Sequence, residues 1–389
     1  PPKYSLLMQA LPTMQINPSS ETELSEAIKS ATSPLRIIGG GTRGLTDRIS
    51  GTDLRTSGLS GITLYDPGAL TIVAQAGTPE SQIKAALAEQ NQRLAFEPMD
   101  HRALLDTTGE PTIGGVVAAN ISGPRRISVG ACRDFLLGVR FVDGQGNTVK
   151  NGGRVMKNVT GYDLVKLFAG SYGTLGVLTE VSLKVLPDTA NTACILLSGL
   201  DDTQAIAAMS SALGSPFDVT GAAHLPRGMD GAPVTMIRIE GFEQSVAYRA
   251  QKLCDMLRPF GAATVQMGDT ADGYGTSKGW GSVRDVTAFA GQSGDVWRLS
   301  VKPSDAAEIV ARMDAKAVQY DWGGGLIWAL TDGGDLRKKL GQFNGHATLI
   351  RGTTDAPTFQ PQPAPLAAIT QGLRNKFDPR GILNQGIMG

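Results

Sequence analysis

The sequence predicts an α+β protein, on three observations. Between residues 193 and 269 the apolar pattern runs in the order β-α-β-β-α-β, a ferredoxin-like unit. A weaker copy of that order follows from Trp297 to Ile350. Before Pro187 the chain instead alternates glycine turns with short β-rich runs, so a differently built region precedes the repeated one.

Size and composition set the outer bounds. A chain of 389 residues is long enough for two or three domains with real cores. Its formal net charge is zero, which removes the electrostatic case for nucleic acid or an anionic membrane as partner. Cys132, Cys194 and Cys254 lie about 60 residues apart, a spacing that excludes an iron–sulfur cluster or zinc finger made by this chain. Such cysteine usage fits a reducing compartment. No apolar run approaches about 18 residues, and Pro1-Pro2-Lys3 shows no signal-peptide pattern, so a cytoplasmic protein is expected.

Taken in order, Ser20-x-x-Glu23 is a capping box, and Leu24, Ala27 and Ile28 follow at helical spacing. Leu35–Ile38 is a short buried strand feeding the glycine loop Gly39–Gly44. A strand is expected at Leu70–Ala74 and a short helix around Ile83, Ala86, Leu87 and Gln90. Leu137–Val142, an Asp143-Gly144 turn and Thr148-Val149 read as a hairpin. Thr179–Val185 is a half-buried strand, and Pro187 marks a domain boundary. The first repeated unit comprises strand 194–197, helix 201–213, strands 219–225 and 234–239, helix 243–257 and strand 263–266. The second comprises strand 297–301, helix 304–313, strands 317–320 and 326–330, a short helix near 335–342 and strand 346–350. Together they predict one α+β domain with a broad antiparallel sheet. Residues 357–365 hold four prolines and form a connector to a C-terminal helix. The expected domains are therefore 1–187, 188–356 and a C-terminal segment, 357–389.

The loop Gly39-Gly40-Gly41-Thr42-Arg43-Gly44 matches G-x-G-x-x-G and suits backbone N–H donation to a phosphate. A dinucleotide site of the Rossmann type needs a helix directly after the loop. Here Leu45-Thr46-Asp47-Arg48-Ile49-Ser50-Gly51 follows, with no apolar stripe at helical period. By itself the loop leaves an NAD site and a plain turn both open. Two later clusters change the balance: Thr112-Ile113-Gly114-Gly115 with Ala118, Ala119 and Asn120, and Gly170-Ser171-Tyr172-Gly173-Thr174-Leu175-Gly176-Val177. Three glycine clusters in order suggest a long ligand laid along backbone rather than held by charges.

That ordered series, together with Val155–Leu164 (Val-Met-Lys-Asn-Val-Thr-Gly-Tyr-Asp-Leu), resembles the FAD-binding domain of the vanillyl-alcohol oxidase / p-cresol methylhydroxylase (PCMH) superfamily over roughly residues 10–187. Gly123-Pro124-Arg125-Arg126, Arg133-Asp134-Phe135, Trp297-Arg298-Leu299-Ser300, Asp321-Trp322-Gly323-Gly324 and Gly345-His346-Ala347-Thr348 extend the likeness to the family of FAD-binding E subunits of bacterial glycolate oxidase (glycolate dehydrogenase). The resemblance implies a two-lobed PCMH-type FAD-binding domain beside an α+β cap domain. It implies that Gly39, Gly40, Gly41, Thr42, Arg43 and Gly44 hold the FAD pyrophosphate. Pro98, Thr112, Gly114 and Gly115 would lie along the ribityl chain and isoalloxazine, and Gly173, Gly176 and Val177 at the adenine and ribose half. Asn384, in the ending Phe377-Asp378-Pro379-Arg380-Gly381-Ile382-Leu383-Asn384, would approach the flavin side.

Some members of that superfamily attach FAD through a His, Tyr or Cys. The Gly39–Gly44 loop holds none, and His101 and Cys132 are read as ordinary residues, so non-covalent FAD is expected. Relatives that oxidise 2-hydroxy acids carry paired histidines and a carboxylate-binding arginine. This chain has only His101, His224 and His346, so no metal site is expected. His346 is the candidate base and Arg298 the candidate carboxylate clamp; Trp322 and Trp328 are read as core. The resemblance implies oxidation of glycolate or a related 2-hydroxy acid. It also implies a homologous FAD-containing D-type subunit, an iron–sulfur subunit that takes the electrons, and a place at the inner membrane through those partners. Two alternatives stay open: an FAD-binding relay or assembly subunit without its own turnover, and an NAD-dependent dehydrogenase.

Overall fold

The side chain of Ser20 accepts the N–H of Glu23 and opens the helix Glu21–Ser30. The other half of the expected capping box lands one residue further back, because the Glu23 carboxylate takes the N–H and hydroxyl of Ser19. Leu24 and Ile28 face inward from this helix. The computed structural model describes residues 15–388 apart from 45–47, 155–161, 229 and 270–274, so most of the Val155–Leu164 motif lies outside the described residues.

The strands up to Pro187 are β1 (Gln15–Ile16), β2 (Leu35–Ile38), β3 (Thr52–Arg55), β4 (Ile62–Asp66), β5 (Thr71–Gln75), β6 (Gln92–Arg93), β7 (Leu136–Val142), β8 (Thr148–Gly152), β9 (Val177–Lys184) and β10 (Leu186–Pro187). β1, β3 and β2 form a small parallel sheet, and β4-β5-β9-β7-β8 an antiparallel one. β5 starts one residue later than its apolar run because Leu70 adopts a φ of 51°. The β7–β8 connection is wider than a two-residue turn. Asp143 and Asn147 close it backbone to backbone, and the Asp143 carboxylate takes the N–H groups of Gln145 and Asn147. Ile83, Leu87, Val116, Val117 and Phe168, from three short helices, share one core with the antiparallel sheet.

Eight further strands follow: β11 (Asn191–Ser198), β12 (Val219–Leu225), β13 (Val234–Gly241), β14 (Ala263–Met267), β15 (Asp295–Val301), β16 (Ala317–Asp321), β17 (Leu326–Thr331) and β18 (Gly345–Arg351). They make one sheet in the order β14-β11-β13-β12-β16-β17-β15-β18. Each half is a ferredoxin-like unit, the second read in reverse. Their second strands meet edge to edge through the pair His224 and Tyr320. His224 is a seam residue: Nδ1 lies 2.9 Å from the Thr235 hydroxyl, and Nε2 lies 3.5 Å from Asp202, which also accepts from the Tyr320 hydroxyl.

Helices Asp202–Leu213, Glu243–Leu257 and Ala306–Ala311 cover one face of this sheet over Ile195, Ile237, Trp297, Leu299 and Ile327. The other face carries a helix the sequence pattern did not announce, Thr276–Asp285. Its Gly279 and Gly281 weaken the helical signal, and its buried Trp280 and Val283 pack on Cys194 and Ala223. On the second unit that face is open to the N-terminal part, where Val296, Leu326, Trp328 and Leu330 pack on Met99 and Leu104. Strand alternation therefore decides what meets the N-terminal part: Trp297 and Leu299 point to the helices, and Arg298 to the opposite side.

A buried ion network joins the two parts. Arg238 on β13 holds both oxygens of Glu97 at 3.1 Å, and Arg125 and Arg93 reach Glu240 at 2.8 and 2.9 Å. The tail returns to the start of the chain: Leu35 donates to the Ile382 carbonyl, and Leu383 bridges Leu35 in parallel. Among the described residues, no helix is long and apolar enough to cross a membrane.

Candidate functional site

The three glycine clusters converge. β2 delivers the Gly39–Gly44 loop, the helix Ile113–Ala118 carries Gly114 and Gly115, and the turn entering β9 carries Gly173 and Gly176. All of these glycines line one cavity, with Thr42, Arg43, Val177 and Asn384. Two of the expected residues line neither this cavity nor its neighbour. Pro98 is buried beside Met99, and Thr112 acts as helix cap, its hydroxyl accepting from the Gly115 N–H. Residues outside the motifs also line it, notably Thr56, Ala76 and Ile387. They carry no chemical signature in sequence.

The glycines serve different ends. A Cβ on Gly40 would lie 1.5 Å from the Glu110 carbonyl oxygen, so Gly40 is needed for the loop to pack on the 109–111 turn. Gly41, at a φ of 71°, has only a distant neighbour where its Cβ would be and turns the chain at the cavity. Thr107 secures the loop by donating to the Thr42 carbonyl. None of the N–H groups from Gly39 to Gly44 donates to another described residue, and no Asp or Glu lines the cavity. Free N–H donors on a glycine turn without carboxylates make an anion cradle. The helix Ile113–Ala118 does not add to it, because the N–H groups of Ile113, Gly114 and Gly115 are taken by Thr78, Ala76 and Thr112.

A second cavity, about 260 Å³, adjoins the first. Arg43, Ala119 and Tyr172 line both. Arg298 and His346 both line the second, although 48 positions separate them in sequence. β15 and β18 pair with Arg298 opposite Thr348 and Ser300 opposite His346, which puts both side chains on one face. Arg126, His101, Trp328 and Thr348 complete the polar and aromatic wall. Cys132 lines neither cavity; it is fully buried, and burial pushes its thiol well above the usual range.

The second cavity is cationic. Arg43, Arg126 and Arg298 line it with no Asp or Glu among its lining residues. Burial draws the Arg298 guanidinium down to about 10, so it stays charged at neutral pH. Arg126 and Arg298 stack on the Trp322 ring, at 4.7 and 5.1 Å from its centroid. Trp322 is thus an arginine support, while Trp328 both packs in a core cluster and faces the cavity. His346 stands at the exposed rim, where burial of part of its ring and then Arg298 and Arg126 hold its pKa below the ordinary histidine value. His101 lies deeper; burial and Arg43 take it down to about 3, so it is neutral, with Nδ1 3.3 Å from the Met99 carbonyl. The joined cavities offer an anion cradle, a cationic chamber and a neutral histidine at its rim. They suit an extended anionic ligand beside a small carboxylate.

Comparison with known proteins agrees with that chemistry. Residues 12–152 match the FAD binding domain family, so the cofactor is FAD. The chain is 34% identical over 371 residues to the glycolate oxidase subunit GlcE of Escherichia coli, covering 94% of this chain and 95% of that one. It is 30% identical over 201 residues to the glycolate oxidase subunit GlcD of Bacillus subtilis, covering 50% and 41% respectively. An alkyldihydroxyacetonephosphate synthase structure superposes with a TM-score of 0.67 at 17% identity, over 95% of this chain and 76% of that one, which shows a shared fold. Near-complete coverage at that level of identity, on a PCMH-type FAD-binding fold, means that this chain belongs to the family of FAD-dependent oxidoreductase subunits represented by GlcE.

Proposed function

We propose that this chain is the FAD-binding E-type subunit of a multi-subunit glycolate oxidase and oxidises glycolate, or a related 2-hydroxy acid, to the 2-oxo acid. The observation that carries this reading is the meeting of Arg298 and His346 in a cationic cavity that joins the glycine-lined one at Arg43 and Tyr172. Residues 1–187 act as the FAD-binding domain, 188–356 as the cap, and 357–389 as a segment that returns to the cofactor side.

In this reading Gly39, Gly40, Gly41, Thr42, Arg43 and Gly44 hold the diphosphate through backbone N–H groups that donate to no other described residue, and through the Arg43 charge. Gly114, Gly115, Gly173, Gly176, Val177 and Asn384 line the rest of the cofactor's path, and Thr112 caps the helix that carries Gly114 and Gly115. FAD is held non-covalently, since Cys132 is sealed in a core and His101 sits in the other chamber. When bound, FAD supplies a two-electron acceptor beside the substrate chamber. Arg298 clamps the substrate carboxylate, with Arg126 adding to the local field. His346, neutral because its pKa is depressed, accepts the hydroxyl proton as the α-carbon hydrogen leaves with its electron pair. Electrons pass on to a D-type FAD subunit and an iron–sulfur subunit. The protein works in the cytoplasm, meeting the inner membrane through those partners.

The relay reading rests on one feature: no carboxylate joins His101 and His346 along the cavity wall. The NAD reading is disfavoured because residues 12–152 match the FAD binding domain family. The decisive experiment mixes the purified, FAD-loaded chain with glycolate under anaerobic conditions. Bleaching of the visible flavin band at the complex's turnover rate supports oxidation by this subunit. An unbleached band, with an active complex, leaves the relay role.

A further inference from the structure

We infer that Tyr172 is a contact residue for both substrate and cofactor: its ring forms the wall between the two cavities, and its hydroxyl donates to the carboxylate held by Arg298. This rests on the reading that the cationic cavity receives the 2-hydroxy acid.

Tyr172 lines both cavities, and the other two shared residues, Arg43 and Ala119, cannot do what it does. Alanine has no polar group, and arginine has no uncharged donor. The backbone at Tyr172 has a φ of 52°, the left-handed region that disfavours a side chain as large as tyrosine. Gly170 and Gly173, at 89° and 73°, show that this turn uses glycine where glycine suffices. A tyrosine at position 172 is therefore retained against local preference.

Its surroundings fix where the ring goes. The Tyr172 N–H donates to the Ala118 carbonyl at 2.9 Å, and its own carbonyl accepts from Asn384 Nδ2 at 2.7 Å. With both backbone groups held, the ring is set against Phe359, edge-on at 4.8 Å between centroids. The hydroxyl makes no hydrogen bond to another described residue, so its capacity is unspent. Burial keeps the phenol protonated despite the pull of Arg298 and Arg43. A neutral O–H beside two guanidiniums, with no carboxylate on the wall, matches one carboxylate oxygen and leaves another for Arg298.

The test uses the FAD-loaded chain and oxalate, a carboxylate that carries no α-hydrogen to transfer, followed by the shift it causes in the visible flavin spectrum. Tyr172→Phe should weaken oxalate binding by about tenfold, the scale of a hydrogen bond to a charged group, with FAD content and unfolding temperature unchanged. Tyr172→Gly removes the ring and relieves the backbone; the bound flavin's fluorescence should rise severalfold. Oxalate binding by Tyr172→Phe equal to wild type overturns the hydroxyl's role. Unchanged fluorescence in Tyr172→Gly overturns the wall, and loss of FAD from Tyr172→Phe shows that the hydroxyl serves the cofactor fold instead. If wild type itself binds no oxalate, the substrate-cavity reading fails with it.

Discussion

Asn384 donates through Nδ2 to the Tyr172 carbonyl at 2.7 Å, and its Oδ1 accepts the Ile37 N–H at the same distance. One amide from the end of the chain thus ties the strand that enters the first glycine loop to the turn that carries the third. The Asn384 N–H also donates to the Leu35 carbonyl, which sets this side chain in register with β2.

Asn384→Ala should lower stability by about 2 kcal/mol, since two partly buried hydrogen bonds of about 1 kcal/mol each are lost. The same change should loosen FAD by roughly tenfold or more, because the two loops lose their common tie. Asn384→Asp should do no better, as a carboxylate would face the Tyr172 carbonyl without a donor. Flavin released at equilibrium, followed by fluorescence, and thermal unfolding together check this.

Gly40 and Gly41 should respond differently to alanine. Gly40→Ala drives a methyl group into the Glu110 carbonyl and should cost several kcal/mol with or without FAD. Gly41→Ala meets no close atom, only the cost of a positive φ, about 1–2 kcal/mol. Unfolding of apo and FAD-loaded variants would separate them. Similar losses for both would show that the close approach at Gly40 is not the limiting contact.

His346→Gln should reduce kcat/KM for glycolate by about 10²–10⁴, the range of a lost general base, and leave FAD content unchanged. In wild type, kcat/KM should fall as acid protonates His346, at a pH below the ordinary histidine value because burial, Arg298 and Arg126 disfavour the imidazolium. That acid limb should vanish in the variant. Arg298→Met should instead raise KM strongly while keeping the limb.

The network between Glu97, Glu240 and the arginines predicts acid sensitivity. Arg238 and Arg125 overcome burial and hold both carboxyls below their usual pKa. A depressed folded-state pKa gives stability that is present above the unfolded carboxylate value and lost as pH falls through the folded one. Unfolding free energy should therefore drop steadily below about pH 4.5. Glu97→Gln should cost about 3–5 kcal/mol at neutral pH by leaving Arg238 short of its buried partner, and should flatten part of the acid slope. An unchanged slope would place the acid-labile groups elsewhere.

What the sequence determined is local. The 2.0 and 3.6 periods placed both ferredoxin-like units, because each strand or helix shows its buried face in its own spacing. The glycine clusters were visible because glycine is costly to keep without a reason. The helix Thr276–Asp285 escaped because Gly279 and Gly281 dilute its apolar face, and Tyr172 because an αL backbone leaves no mark on residue type. Tertiary structure decided which residues share a site. The Arg298–His346 pairing depends on how β15 and β18 register, and Gly40 proved to serve loop packing because Glu110 comes to lie against it. Contacts between residues far apart in sequence are set by strand register and packing, and neither is written into any one segment.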